Sequence, residues 1–388
     1  MDQVHHGRRL HRFRSAWLAL LLLICVAAAH ADKPVISEVS TSKPSFNPSL
    51  GQKSQVAFSV SHAGVVNVRL LDRDGYLVRR LAVQAAVEKG RVSFDWDGRD
   101  DKGEVVADEA YSIQIDFTVS NSSSATYSPA STPGRDWSIK PKYYDRRGGI
   151  LAYTLPVACR VHAQAGTAKV DKVTGKISGP VLKTLVNREP RPAGAVIEQW
   201  NGFDDSGTIN VAELADFKIA ISVSALPDNS IIAFGNRVRN FLSYASGRIG
   251  SPMLPRRTAT HEHHRGLSAL DDVSPDLSLS PQHASWVSNE HLWATNSTEL
   301  QLVVSLRGMS VDHFVRQPTK LYVFLDGKPV SESTDPKQGM VVSVPLNPQS
   351  SQPQVVALNW ASEYGPVAVA ALRASTRPGL GDAAIRRK

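Results

Sequence analysis

Displaced along itself by 104 residues, the chain repeats. Gly75, Leu81, Gly90, Val92, Trp96, Gly98, Asp100, Asp101 and Gly103 fall on Gly179, Leu185, Gly194, Val196, Trp200, Gly202, Asp204, Asp205 and Gly207. Nine identities in 29 ungapped columns exceed accident, and they are of a kind: glycines at turns, paired aspartates and one large apolar anchor. Arg79 also falls on Lys183. Such a chain must use one supersecondary unit twice. Beyond the matched block the second copy is two residues longer, and there Phe217, Ile219, Ile221 and Val223 repeat the alternation of Tyr111, Ile113, Ile115 and Phe117.

That alternation identifies the unit. Val56/Phe58/Val60, Val66/Val68/Leu70 and Val92/Phe94/Trp96 likewise alternate with polar or small residues, the period-2 pattern of strands with one face on a core. Asp72-Arg-Asp-Gly75 and Asp97-Gly98 follow two of these runs and supply the permissive backbone of tight turns. The expectation is an all-β chain of two tandem Ig-like β-sandwich domains, with Trp96 and Trp200 as core plugs and Gly98, Gly103, Gly202 and Gly207 as turn residues.

The signature reads Trp96-Asp-Gly-Arg-Asp-Asp-Lys-Gly103 in one copy and Trp200-Asn-Gly-Phe-Asp-Asp-Ser-Gly207 in the other. It resembles the Ig-like domain of the flagellar hook-capping protein, over most of each copy and under half of the chain in all. The resemblance implies a fold used as an add-on module in bacterial surface and secreted proteins, for scaffolding rather than catalysis.

Around this pair the chain divides as follows. Residues 1–31 read as a signal peptide and 32–53 as an N-terminal extension. The copies occupy 54–118 and 151–225, joined by a linker at 119–150 that is rich in Ser, Pro, Lys and Arg. An irregular His-rich segment spans 226–296. Leu300 to Leu306, Leu321 to Leu325, Met340 to Leu346, Val355 to Trp360 and Val367 to Leu372 are strand-like again, with Asp326-Gly327 as a hairpin turn, and make a C-terminal β domain over 297–375. It contains no Trp-x-Gly-x-Asp-Asp-x-Gly signature. A tail follows at 376–388.

Two groupings carry candidate chemistry. Asp95, Asp97, Asp100 and Asp101, with Asp204 and Asp205, could gather oxygen ligands for calcium. The hairpin reading is preferred, since the spacing of a calcium loop with its distant Glu is absent and a motif kept beside a core Trp is explained by folding. Thr260-His-Glu-His-His-Arg265 is the sharper lead. His261 and His263 share a face if extended, and Glu262, His264 or His283 could complete a transition-metal site. Arg265 stands where H-E-x-x-H needs its second histidine, so a solvated His-rich loop is preferred there too. Neither a G-x-S-x-G elbow nor a phosphate-cradling glycine loop occurs, and no cofactor is expected.

Compartment follows from the N-terminal segment. Arg8, Arg9, Arg12 and Arg14 precede the apolar stretch Trp17 to Ala29, and Ala29-His-Ala31 is a small-x-small cleavage site before Asp32. The expected mature chain is periplasmic or secreted, with no membrane span. It keeps 40 basic and 35 acidic residues, a net charge of +5 spread over 357 positions, which is no nucleic-acid footprint. Of two cysteines only Cys159 remains, so the domains hold together by burial rather than by disulfides. The expected function is a non-catalytic binding or scaffolding protein of the bacterial cell envelope, with an envelope protein or cell-wall component as partner. Two alternatives stand beside it: a periplasmic metal-binding protein or metal-dependent hydrolase using the His-rich segment, and a glycan-binding module using aromatics such as Trp286 and Trp293.

Overall fold

The computed structural model describes residues 33–377, apart from 121–122, 132–133, 168–172, 174–178, 249, 254–269, 271–272 and 363–365. Its first eight strands are β1 (Ile36–Thr41), β2 (Ser45–Phe46), β3 (Ser54–Val60), β4 (Gly64–Leu71), β5 (Leu77–Val87), β6 (Gly90–Trp96), β7 (Glu109–Ser120) and β8 (Ser123–Tyr127). One sheet has the order β1-β3-β6, and β4 lies between β5 and β7 in the sheet facing it. Period-2 alternation works as the sequence requires: Val56, Phe58, Val66, Val68, Ile113 and Phe117 point inward and are buried in one core with Trp96.

The next strands build a second sandwich. They are β9 (Asp136–Ile139), β10 (Tyr143–Asp145), β11 (Ile150–Leu155), β12 (Cys159–Thr167), β13 (Val181–Arg191), β14 (Gly194–Gln199) and β15 (Phe217–Ala225). Sheets β10-β11-β14 and β13-β12-β15-β9 reproduce the orders β1-β3-β6 and β5-β4-β7. The backbone repeats in detail as well. Gln84 and Arg188, in the same column of the two copies, both take left-handed φ, 47° and 56°, at irregularities within β5 and β13. Gly98 (φ 73°) and Gly202 (φ 89°) occupy the same turn. A Cβ at Gly98 would also collide with the Pro48 ring, so glycine is required there twice over.

The chain then returns to the first sandwich. β16 (Ile231–Ala233) pairs antiparallel with β7 and parallel with β2, giving the order β2-β16-β7-β4-β5. It is followed by α1 (Phe241–Ser246), whose first turn is closed by Asn240 Oδ1 accepting the Ser243 N–H at 2.8 Å. Ile231, Ala233 and Tyr244 are buried in the same core as Trp96. Residues 136–225 thus form a sandwich inserted within the first one, between β8 and β16.

The third sandwich comprises β17 (Asp276–Gln282), β18 (Ala284–Val287), β19 (Leu292–Thr295), β20 (Glu299–Arg307), a helical turn α2 (Val311–Phe314), β21 (Thr319–Leu325), β22 (Lys328–Ser333), β23 (Met340–Pro345), β24 (Gln354–Ser362) and β25 (Val367–Thr376). Its sheets are β17-β20-β23 and β18-β19-β25-β24-β21-β22, the same order again. Here the closing strand β25 follows β24 directly in the chain. The parallel pair β19–β25 occupies the place of β2–β16. The second sandwich packs on the third through Trp200, Ile209 and Val211 against Tyr322, Phe324 and Ala357.

The protein is therefore all-β, but the segments read as an N-terminal extension, a linker and an irregular His-rich stretch carry strands. Residues 32–53 hold β1 and β2, 119–150 hold β8, β9 and β10, and 226–296 hold β16 to β19. Several of these strands have only two to four residues, too few for alternation to register.

Candidate functional site

The signature loops come first. Trp96 is fully buried between Phe46 and Tyr111, with ring centroids 5.4 and 5.3 Å away, and its indole N–H donates to Arg99 O at 3.0 Å. Trp200 donates likewise to Phe203 O at 2.7 Å. Asp100 Oδ1 accepts the N–H groups of Lys102 (2.9 Å) and Glu104 (3.0 Å), and Asp204 Oδ1 accepts those of Thr208 and Ile209, both at 3.1 Å. Asp97 and Asn201 close equivalent turns by accepting from Arg99 and Phe203. Asp101 pairs with Arg80, and Asp205 with Lys183. Arg79, the residue aligned with Lys183, instead donates to Asp100 O at 2.9 Å. These carboxylates hold turns and pair with cations instead of converging as oxygen ligands for calcium. The chemistry of this motif is architectural.

Of the proposed metal ligands, His261, Glu262, His263 and His264 lie outside the described residues. His283 forms the turn between β17 and β18 at φ 51°, where its carbonyl accepts the Thr295 hydroxyl at 3.3 Å. Among the described residues no group of three or more His, Cys, Asp or Glu side chains converges as a metal site. Cys159 is buried, and burial pushes its thiol up to about 12, so it is an unreactive core residue.

The densest polar arrangement was not visible in the sequence. Where the inserted sandwich meets its host, Arg160 Nη2 lies 2.6 Å from Glu109 Oε1, and Arg73 approaches the other carboxylate oxygen at 3.7 Å. The Glu109 and Arg160 side chains are only 3% and 9% exposed. A second cluster forms where the segment after β16 covers the end of the first sandwich. Arg239 Nη1 lies 2.8 Å from Glu104 and 3.3 Å from Asp100. Arg248 reaches Asp74 at 2.7 Å and Asp72 at 3.2 Å, with its guanidinium 4.6 Å from the centroid of Tyr76. Arg239 and Asp100 stand 139 positions apart in the chain, so no local pattern could reveal partners of this kind.

Asp72 is the most perturbed carboxyl there. Burial pushes it up to about 6, against the opposing pull of Arg248 and of the Tyr76 and Asp74 N–H groups, while Asp74 adds repulsion. Arg248 shares its charge between the two carboxylates and is nearer to Asp74, so desolvation wins at Asp72. A carboxyl raised in the folded state favours folding in its neutral form. Its contribution is full below the unfolded value near 3.8 and is lost as pH rises through about 6. Between pH 7.5 and pH 5 it should add roughly 1 kcal/mol to the stability of the first sandwich. Urea denaturation of wild type and Asp72→Asn at both pH values checks this: the variant should lack that increment, and equal pH dependence in the two would refute it.

The third sandwich presents an aromatic hairpin. Trp286 and Trp293 are directly paired across β18 and β19 with ring centroids 5.4 Å apart, and Trp286 is 50% exposed. His291 lies edge-on to Trp286 at 6.2 Å. The hairpin tip is tied to β25, where Arg377 pairs with Glu290 and Arg373 donates to the Glu290 carbonyl at 3.3 Å.

Fold and sites together define an all-β protein of three sandwiches with a common strand order. Residues 45–121, from β2 to the end of β7, match the FlgD Ig-like domain family. The matched stretch ends before β16. No curated protein matches the chain. Among solved structures it is similar to the native conformation of E. coli alpha-2-macroglobulin, at 8% identity and a TM-score of 0.19, covering 89% of this chain and 23% of that one. A tetra-tandem repeat in the extending region of a large adhesion protein gives 12% identity and a TM-score of 0.17, covering 89% and 74%. The BSP domain of a biofilm associated protein gives 8% and 0.17, covering 93% and 70%. The chain spans under a quarter of the macroglobulin, and TM-scores this low carry no argument. No helix among the described residues is long and apolar enough to cross a membrane.

Proposed function

We propose that the chain is a non-catalytic binding or scaffolding protein of the bacterial cell envelope, exported through cleavage after Ala31, with the second sandwich a diverged copy of the first. The observation that carries this reading is where the ionisable side chains go. In the signature loops and both clusters they close turns, fasten the segment after β16 to the first sandwich or join one sandwich to another, as in a building element. Sheet edges and end loops remain for an envelope protein or cell-wall component to bind. The test is expression from the full gene, with N-terminal sequencing and crosslinking in the native envelope. Mature protein beginning at Asp32 and a reproducible crosslinked envelope partner are expected; retention with Arg8 intact, or recovery without a partner, would sink the reading.

The Trp286–Trp293 pair favours one second reading, glycan binding by stacking of a sugar ring on the exposed indole. Peptidoglycan pull-down with wild type and Trp286→Ala distinguishes them, since glycan binding should vanish in the variant.

A further inference from the structure

The insertion of one sandwich within another has a mechanical consequence. We propose that tension applied between the segment before β1 and the third sandwich runs through the first sandwich alone, with the parallel β2–β16 pair as its clasp, and that the second sandwich stands outside the load path.

Each part of this path is defined by pairing. On the upstream side the chain enters through β1, bound along β3, and then β2, bound to β16. Ile232 lies opposite Ser45 and Ala233 opposite Phe46, with Ile232 N–H donating to Pro44 O at 2.8 Å and Phe234 N–H to Phe46 O at 3.2 Å. On the downstream side the residues after β16 stay seated on the same sandwich. Asn236 Nδ2 donates to Val106 O at 2.9 Å, Arg248 engages Asp72 and Asp74, and Met253 N–H donates to Gly75 O at 2.7 Å. A downstream pull must lift these contacts before it reaches β16.

The sense of the pairing then matters. β2 is drawn toward its upstream end and β16 toward its downstream end. Because the two run parallel, the pull slides them past each other and loads their hydrogen bonds together instead of unzipping them singly. The core residues Ile231 and Ala233 must leave the interior in the same step. Rupture force is set by the unfolding barrier of the loaded element, so this clasp governs resistance.

Once its apolar contact with the third sandwich has parted, the second sandwich meets none of this tension. It is entered from β8 and left toward β16, and both strands belong to the first sandwich. While β16 holds, both tethers of the insert are anchored on one body. In a serial arrangement, by contrast, every domain carries the full load and the weakest opens first.

The experiment is single-molecule stretching of the full chain with one handle joined before Lys33 and the other at Val273, ahead of β17, so that the third sandwich is not in series with the load. Trp200→Ala weakens the second sandwich, and Trp200→Phe is a milder variant that keeps a ring but loses the indole bond to Phe203 O. The expected result is that neither changes the force of the first large rupture and that release of the insert always follows it. An earlier, weaker event lengthening the chain by about 300 Å, the extended length of roughly 90 residues, would overturn the proposal. A Ser45→Cys/Ile232→Cys pair tests the clasp independently, as neighbouring strands bring these positions within disulfide reach. Cys159, raised to about 12, does not compete for oxidation. Oxidation should abolish both ruptures and reduction restore them; a pair that fails to close in the folded chain would refute the register.

Discussion

Trp96→Ala is expected to cost the first sandwich about 3 to 5 kcal/mol, because it removes a fully buried indole and leaves a cavity that its neighbours cannot fill. Phe46 and Tyr111 would each lose an edge-on ring partner, and the Arg99 carbonyl a donor. Phe46 also lies opposite Ala233, and Ala233 shares the Trp96 core. The damage should therefore extend to a segment on the far side of the insert. Limited proteolysis of the full chain should show new cleavage between Ile231 and Met253, alongside a lower urea midpoint for the first transition. Trp200→Ala should behave differently. That ring packs with Tyr144 and Phe217 and also against Tyr322 and Phe324 of the third sandwich, so its loss should loosen the contact between the second and third sandwiches as well as weaken the core. If Trp96→Ala leaves residues 231–253 as protected as in wild type, the coupling through Phe46 and Ala233 is wrong.

What the sequence revealed and what it hid have a common physical origin. Long strands such as β7 and β15 bury every second side chain, so they write their geometry into the order of residues. The signature loops do the same, since a left-handed turn beside a core Trp admits little but Gly, Asp and Asn. Arg79 and Lys183 show the limit even there, because the aligned column predicts a shared partner and the structure gives Asp101 to Arg80 instead. Strands of three or four residues, β9, β10 and β16, have too little length to display a period. Their pairing is decided by which open edge is nearest in space, and the chain crosses from one sandwich to the other before and after the insert.

The third sandwich was legible as a β domain, but its kinship with the other two was hidden for another reason. Its strand order is that of the other two, but the residues holding its end loops differ. In the β23–β24 connection, where the other copies use the Trp-x-Gly-x-Asp-Asp-x-Gly loop, Asn347 accepts the Gln349 N–H at 3.0 Å, and Asp326 of the β21–β22 turn accepts the Val355 N–H at 2.8 Å. Its largest buried ring, Trp360, lies within β24 instead of at the end of β23. The candidate metal site was legible only as composition, a run of histidines without a geometry. The buried clusters around Glu109 and Asp72 were not legible at all, since charged residues scattered along a sequence read as surface.

Glu109→Gln and Arg160→Met should each destabilise the junction of host and insert by about 3 to 5 kcal/mol, and the double variant by far less than their sum. The argument rests on desolvation. Both side chains are nearly dry, and their attraction, with the Ala110 N–H donated to Glu109 Oε1 at 2.6 Å and the Arg160 guanidinium donating to Arg188 O at 3.3 Å, offsets the cost of removing two charges from water. Removing the Glu109 charge leaves Arg160 buried without its counterpart, and removing that of Arg160 leaves Glu109 only the longer Arg73 contact at 3.7 Å, whereas removing both leaves a neutral contact of similar volume between the two positions. The apolar contacts of Ala110, Ala158, Leu226 and Ile232 beside the pair persist in all three variants. Single variants should therefore shift the unfolding of host and insert together, because the pair spans both, while the double variant should recover at least half the loss. Chemical denaturation followed by probes placed separately in the first and second sandwiches measures the cycle. Losses under about 0.5 kcal/mol in all three would mean that water reaches the pair and that it does not hold the insert to its host.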